Sequence, residues 1–379
     1  MKIGILTFHN AINYGGVLQA YALQKCLNEI RGIEAEVVDY HSPAVDRQYS
    51  FVGLKQSGSF KAFLLQNATT AVRKQKKISF CKFVGENIKV GPKIESVDAD
   101  ALSSYDVVVV GSDQVWNSSC TSGDKTYLLD IKDLNVKRIS YAASIGNKKN
   151  FMNFKEKYHV DTLNALMRFS AISSREEEAT QYITEMTGKE CANVVDPVLL
   201  FGRDSWMKFL KKFEECNISE EKSNDKYVLV YNIGNFILTF AFAKALAKRT
   251  GLKIKAINKD VKGDVKFAGS ENCSNVSPSK FVSLINGAQY IVTDSFHATA
   301  FSLMFKKKFF TIANPNSDNT NSRLLNILMN YKLEDRYITK PVIPEGFDAE
   351  MDYVVIEDKI NNEREQSMKW LLNALDCGV

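Results

Sequence analysis

Residues 290–305 read Tyr290-Ile291-Val292-Thr293-Asp294-Ser295-Phe296-His297-Ala298-Thr299-Ala300-Phe301-Ser302-Leu303-Met304-Phe305. The first four are short, β-branched or aromatic, and read as a buried strand. From His297 onward, Ala298, Phe301 and Met304/Phe305 recur at helical spacing. Asp294 to His297 therefore form a strand-to-helix turn. Such a turn points backbone N–H groups at whatever lies above the sheet edge, and the helix dipole adds partial positive charge there. Asp294 or Ser295 can cap the helix. An imidazole at that place can move a proton beside a bound anion. The same residues also make sense as a plain cap followed by a packed, hydrogen-bonded ring, and the local sequence leaves both readings open.

Working outward, the same strand–turn–helix grammar recurs along the 379 residues, a length that suits two domains. Lys2 to Phe8 is a strand, His9 to Gly16 a polar loop, and Val17 to Leu27 a helix with a wide apolar face. Glu34 to Tyr40 is the next strand, which completes a βαβ unit. Asp39 stands where dinucleotide folds place an acid on the ribose, but the loop holds Gly15-Gly16 and not G-x-G-x-x-G, which argues against an NAD enzyme. Val107 to Val110 is wholly apolar, as central parallel strands are, and runs into Gly111-Ser112-Asp113-Gln114-Val115-Trp116-Asn117. In open α/β sheets ligands bind at such carboxyl ends. Asp113, Gln114 and Asn117 suit sugar hydroxyls and Trp116 a sugar face; a self-capped turn with Trp116 packed inward fits equally well. Further helices are expected over Phe60–Val72 and Met152–Phe169, and a strand at Val194-Val195. Arg175 opens a helix at Arg175-Glu176-Glu177-Glu178, where the dipole disfavours a cation, so it is expected either to pair with Glu178 or to bind an anion.

The polar stretch Asn217 to Lys226 reads as a linker, after which strand–helix alternation restarts at Tyr227. The expected architecture is an N-terminal α/β domain over 1–220 and a C-terminal one over 221–379, with the last helix returning to the first domain. The loops around Asn13, Asp113, Arg175 and His297 all follow strands and would converge on a cleft between the domains.

Composition narrows the class. The chain is 45% hydrophobic and 25% charged, with a net charge of +5, which is mild for this length, argues against a dedicated duplex-DNA binder and allows anionic substrates or a passing membrane contact; no nucleic-acid partner is expected. Seven scattered cysteines without a C-x-x-C pair suit a reducing compartment. The histidines His9, His41, His159 and His297 show no ligand spacing, so no metal site is expected. The apolar start, Ile3 to Leu6, is too short for a signal-peptide core, and no apolar run approaches a membrane span; a cytoplasmic protein is expected.

Taken together, several pieces resemble the polysaccharide pyruvyl transferase family: Asn13-Tyr14-Gly15-Gly16 with Gln19, Gly111 to Asn117, Ser173-Ser174-Arg175-Glu176, Asp196-Pro197, Thr293-Asp294-Ser295-Phe296-His297, Ser322-Arg323-Leu324 and Asp335-Arg336. Their order and spacing carry the likeness. It implies an α/β fold of two Rossmann-like domains facing across a cleft, similar to GT-B glycosyltransferases. It also implies transfer of pyruvate from phosphoenolpyruvate onto two hydroxyls of a sugar, as a ketal, in assembly of bacterial cell-surface polysaccharide. No cofactor is implied beyond phosphoenolpyruvate as co-substrate. On this resemblance His297 and Asp294 are the catalytic candidates. Arg175, Asn13, Gly15, Gly16, Ser295 and Phe296 would bind the donor, and Asp113, Gln114, Trp116 and Asn117 the acceptor. The family's D-R-L-H pattern reads Asp294-Ser295-Phe296-His297 here, so a guanidinium is missing, for which Arg323 or Lys306 to Lys308 could substitute. A lipid-linked acceptor would bring the chain to the inner membrane face, with the basic run Arg73 to Lys77 as contact. The fold does not decide the donor, so a glycosyltransferase using a nucleotide sugar, or a non-catalytic sugar-binding relative, are the alternatives.

Overall fold

We describe residues 1–43, 45–46, 70–216, 225–234, 236–258, 269–314 and 318–377 of a computed structural model of the protein. The expected linker core, most of the expected Phe60–Val72 helix and the side chain of Arg73 lie outside these residues. The chain divides into two compact units. One comprises Met1–Tyr49, Val84–Gly202 and Ile360–Val379, the other Ser50–Phe83 and Arg203–Lys359. The division thus falls at Gly202/Arg203 and not at 220/221. The reason is the helix Arg203–Cys216, whose Trp206 packs on Phe301 at 4.9 Å and whose Phe209 packs on Phe83 at 6.3 Å, all in the second unit.

In the first unit the strands are β1 (Lys2–Leu6), β2 (Glu34–Tyr40), β3 (Val90–Ile94), β4 (Val107–Val110) and β5 (Lys137–Ser140). They form a parallel sheet in the order β3-β2-β1-β4-β5. Ile3 sits between Ala35 and Val107, and all four valines of β4 are buried, as expected of a strand covered on both faces. A short parallel pair, β6 (Ile172–Ser174) and β7 (Cys191–Asn193), adjoins β5 through a bridge from Ile139 to Ala171. The expected strand at Val194-Val195 therefore lies just upstream, at β7. The expected Met152–Phe169 helix is two, Lys148–Glu156 and Thr162–Met167: His159 between them takes a left-handed φ of 55°, and Asp161 caps the second. The last helix spans Tyr353–Ala374, and from Ile360 on it belongs to the first unit. There Ser367 accepts the Val195 N–H at 3.0 Å, Arg364 donates to the Leu200 carbonyl at 3.0 Å, and Trp370 lies 6.3 Å from Tyr141.

In the second unit the strands are β8 (Tyr227–Asn232), β9 (Lys253–Asn258), β10 (Ser270–Asn272), β11 (Tyr290–Thr293), β12 (Lys308–Ile312) and β13 (Tyr337–Ile338). They too form a parallel sheet, in the order β10-β9-β8-β11-β12-β13. Each sheet changes winding direction once next to its first strand, between β1 and β4 and between β8 and β11. Open α/β sheets bind ligands above these switch points. The loops there are His9 to Asn13 with Gly111 to Asn117, and Ile233-Gly234 with Asp294 to His297. Among the described residues no helix is long and apolar enough to cross a membrane.

Burial also sorts the cysteines. It pushes the thiols of Cys26 and Cys191 up to about 12 and that of Cys273 to about 11. Cys81 and Cys216 are exposed. Thiolates, not thiols, react. A thiol titration of the native protein at neutral pH should therefore label Cys81 and Cys216 first and reach Cys26, Cys191 and Cys273 only on unfolding; early labelling of Cys26 would contradict this packing.

Candidate functional site

At the first switch point the sequence pieces come together through one hydrogen-bonded network. Asn13 takes extended φ/ψ and caps the helix Tyr14–Asn28, its side chain accepting the Gly15 N–H at 3.1 Å. Gln19, one turn on, donates to Thr7 Oγ1 at 2.8 Å and to the Gly16 carbonyl at 2.9 Å, and accepts the Ser112 N–H at 3.2 Å. Gly111 has φ +113°, and a Cβ there would stand 2.4 Å from the Tyr141 carbonyl oxygen, so only glycine lets β4 turn this tightly beside β5. Gly16 lies close under the same turn: a Cβ on it would be 3.5 Å from Asp113 Oδ2.

Arg175 closes the network, but not in the manner expected. The helix begins at Glu177 with Glu176 as N-cap, so Arg175 precedes the helix and escapes its first turn. Its partners are not Glu178. Nη1 donates to Asp196 at 2.6 Å, Nε to Glu176 at 3.1 Å and Nη2 to Asp113 at 3.3 Å. The side chain is 1% exposed. Burial opposes its charge, yet Asp196, Glu176 and Asp113 outweigh burial and raise the guanidinium's pKa. Among the described residues three carboxylates face this one guanidinium, an arrangement that disfavours a further anion. Arg175 is a counter-ion within the first unit, and the expectation that it receives the donor gains no support from this geometry. Asp196 also accepts Ser112 Oγ at 3.2 Å and caps the helix Pro197–Phe201 through Val198 N at 2.9 Å. Glu176 and Asp196 are thus working members of the site that sequence reading left unassigned, although both stood in the motif pieces.

The acceptor residues divide. Trp116 is fully buried; its indole N–H donates to the Tyr127 carbonyl at 2.8 Å, and Phe169 meets it edge-on at 5.8 Å. A side chain so enclosed cannot cover a sugar, and the inward-packed alternative holds. Asn117 caps Ser118–Thr121 through Ser119 N at 2.9 Å and donates to Gln114 Oε1 at 2.7 Å, so these two make a self-capped turn. Asp113 is the Arg175 partner just described.

At the second switch point Thr293 Oγ1 donates to the Tyr231 carbonyl at 2.7 Å and accepts the Ser295 N–H at 3.1 Å, which fixes the turn to the neighbouring strand. Ser295 caps the helix Phe296–Met304 through Ala298 N at 3.4 Å. Asp294 accepts the backbone N–H of Ile233 at 2.6 Å and of Gly234 at 2.7 Å. Its carboxylate therefore pins the loop after β8, a positioning role. His297 stands in the first helical turn, 7% exposed, with the Phe296 ring edge-on at 5.4 Å. Lys306 to Lys308 cannot stand in for the missing arginine. Lys308 pairs in register with Tyr290, at the amino end of β11, whereas Asp294 follows its carboxyl end. Lys306 pairs with Glu357 at 2.8 Å, and Lys308 with Asp348 at 2.7 Å and Glu350 at 2.8 Å. Arg323 is half-buried on the helix Asp318–Asn330, which follows the carboxyl end of β12. In the basic run Lys74 and Lys77 are exposed, but Lys76 is buried and donates to the Asn258 carbonyl at 3.3 Å.

The histidines do not all behave as their spacing suggests. His9 Nε2 and His41 Nε2 lie 3.0 Å and 2.9 Å from Asp39 Oδ1, a grouping invisible along the chain because it joins the ends of two adjacent parallel strands. The hydrogen bond from His9 holds the Asp39 carboxyl below its ordinary 3.8 against the cost of burial. A lowered carboxyl stabilises the fold above its unfolded value, and that contribution is lost as pH falls through the lower folded value.

No curated protein matches the chain significantly. Among solved structures it is similar to the UDP-GlcNAc 2-epimerase of Neisseria meningitidis bound to UDP-GlcNAc, at 12% identity over 100% of both chains with a TM-score of 0.53. The UDP-GlcNAc 2-epimerase of Methanocaldococcus jannaschii gives the same identity, 12%, over 100% of both chains, with a TM-score of 0.53. At such identity the likeness establishes the fold alone, a GT-B-like pair of parallel α/β units. The model of one family, polysaccharide pyruvyl transferase, matches residues 13–317, from the Asn13 cap through both networks. With most of its length, both switch-point turns included, inside that match, the chain belongs to the polysaccharide pyruvyl transferase family.

Proposed function

We propose that the chain is a ketal-forming transferase that moves the pyruvyl carbon of phosphoenolpyruvate onto two hydroxyls of a cell-surface sugar and releases phosphate. The methylene carbon takes a proton and becomes the methyl group. One hydroxyl oxygen bonds to the central carbon and loses its proton. The bond from that carbon to the phosphate oxygen breaks, and the second hydroxyl closes the ketal with loss of its proton. Three proton movements are needed, and His297 is the group we assign to carry them. The amino end of its helix favours the anionic donor, and Asp294 keeps the adjoining loop in place. Arg323 is the cation we assign to the charge that the absent family arginine would have met. A lipid-linked acceptor would bring exposed Lys74 and Lys77 to a membrane face.

The observation that carries this reading is the turn Thr293 to His297, a capped strand-to-helix junction with the imidazole in the first helical turn. The alternative, a glycosyltransferase using a nucleotide sugar, is favoured by one finding: the similar Neisseria epimerase is bound to UDP-GlcNAc. Ligand-dependent thermal stabilisation separates the two. A ligand at about 100 times its Kd raises stability by about 2.7 kcal/mol. Phosphoenolpyruvate should raise the Tm at millimolar concentration while UDP-GlcNAc does not; the reverse pattern would overturn the proposal.

A further inference from the structure

His9, Asp39 and His41 form a compact group that neither network uses. Each offers one ligand atom, and the three atoms lie within 4.8 Å of one another. His9 follows β1, and Asp39 and His41 stand two residues apart at the end of β2, so the strand period sends both to one side. Exposure of the side chains rises from 3% for His9 through 19% for Asp39 to 34% for His41, so the group is closed on one side and open on the other.

The hydrogen-bond inventory of the two rings points to a cation. A neutral imidazole has one N–H and one lone pair. Here every ring nitrogen faces an acceptor. Both Nε2 atoms face Asp39 Oδ1, while His9 Nδ1 lies 3.5 Å from the Thr7 carbonyl oxygen and His41 Nδ1 has the Asp46 carboxylate as its nearest ionic neighbour, at 3.6 Å and just beyond hydrogen-bond reach. Asp46 is itself held by Asn10 at 2.8 Å. A neutral ring must turn its lone pair toward one of its two oxygens. Protonating both rings would cure this only by setting two imidazolium ions at a centroid separation of 5.7 Å, with His9 almost out of reach of water. A metal ion between the Nε2 atoms and Oδ1 cures it directly. Each Nε2 lone pair then binds the ion, and each Nδ1–H is left to donate to a carbonyl or carboxylate, the outer contact that metal-bound histidines make.

We propose that His9 Nε2, Asp39 Oδ1 and His41 Nε2 bind a first-row divalent metal ion of the zinc class, tying the loop after β1 to the end of β2. Two imidazoles and one carboxylate suit that class, and three protein ligands leave a position for water or an anion. With metal–ligand bonds of about 2.0–2.1 Å, tetrahedral ligand atoms stand about 3.3–3.4 Å apart. The two contacts to Asp39 are already near that spacing, so His41, the most exposed of the three, makes the main adjustment.

The test uses the untagged full chain, stripped with chelator, in equilibrium dialysis against Zn²⁺, with Co²⁺ as a spectroscopic probe. The parent should take up about one equivalent, gain thermal stability, and show Co²⁺ visible bands of nitrogen and oxygen ligation without thiolate charge transfer. His41→Ala and Asp39→Asn should each weaken uptake at least about tenfold. His41 is open enough to water that its loss leaves the fold intact, so that variant decides if Asp39→Asn proves unstable. A parent that binds no Zn²⁺, or Zn²⁺ retained equally by His41→Ala, overturns the proposal; the second result would place the ion elsewhere on the chain.

Discussion

Replacing Arg175 with alanine should destabilise the protein by about 3–5 kcal/mol, the usual cost of removing one partner from a buried ion pair. That is a large share of the about 5–15 kcal/mol that holds a typical domain together. The guanidinium is wholly enclosed and has Asp196, Glu176 and Asp113 as hydrogen-bonded neighbours. Without it three carboxyl groups are left facing one another, one of them, Asp196, also tied to the start of the helix Pro197–Phe201. Arg175→Lys should recover only part of the loss, because an ammonium cannot match the fork that reaches all three. Urea unfolding of purified variants measures this. An Arg175→Ala protein as stable as its parent would mean that the cluster rearranges without cost, and a variant of unchanged stability with weakened phosphoenolpyruvate binding would restore Arg175 to the donor site.

For His297→Ala we expect turnover lower by about 100- to 10,000-fold, or about 3–5 kcal/mol in barrier, with the fold kept. The fold should survive because the turn is held by other bonds: Thr293 to Tyr231, Ser295 to Ala298 and Asp294 to Ile233 and Gly234. Alanine also suits a first helical turn. His297→Asn should fall nearly as far, since an amide can hold a hydrogen bond but cannot take up and return a proton. Near-normal turnover of the Asn variant at saturating phosphoenolpyruvate would make His297 a positioning residue.

Much of the scaffold was legible because parallel strands covered on both faces write themselves as unbroken apolar runs. Val107–Val110, Glu34–Tyr40 and Tyr290–Thr293 have the bounds read from sequence. Ser295 was one of two named cap candidates, and the structure selects it. The site was harder, since its meaning depends on contacts between distant residues. An arginine near a helix start reads as an anion receptor until Asp196 and Asp113, 21 and 62 residues away in sequence, are seen to occupy it. A tryptophan after a central strand suits either a binding wall or a core, and only the position of the Tyr127 carbonyl and Phe169 decides for the core. His9 and Asp39, 30 residues apart, meet because β1 and β2 are neighbours; a search for ligand spacing along the chain had no means to find them.

The most direct measurement is mass spectrometry of sugar acceptors, free and lipid-linked, incubated with the protein and phosphoenolpyruvate, with phosphate release followed in the same mixture. Pyruvyl transfer predicts an acceptor that gains one pyruvyl ketal for each phosphate released, with both signals lost in His297→Ala. Phosphoenolpyruvate that stays intact with every acceptor, while a nucleotide sugar gives up its glycosyl group to one of them, would contradict the account.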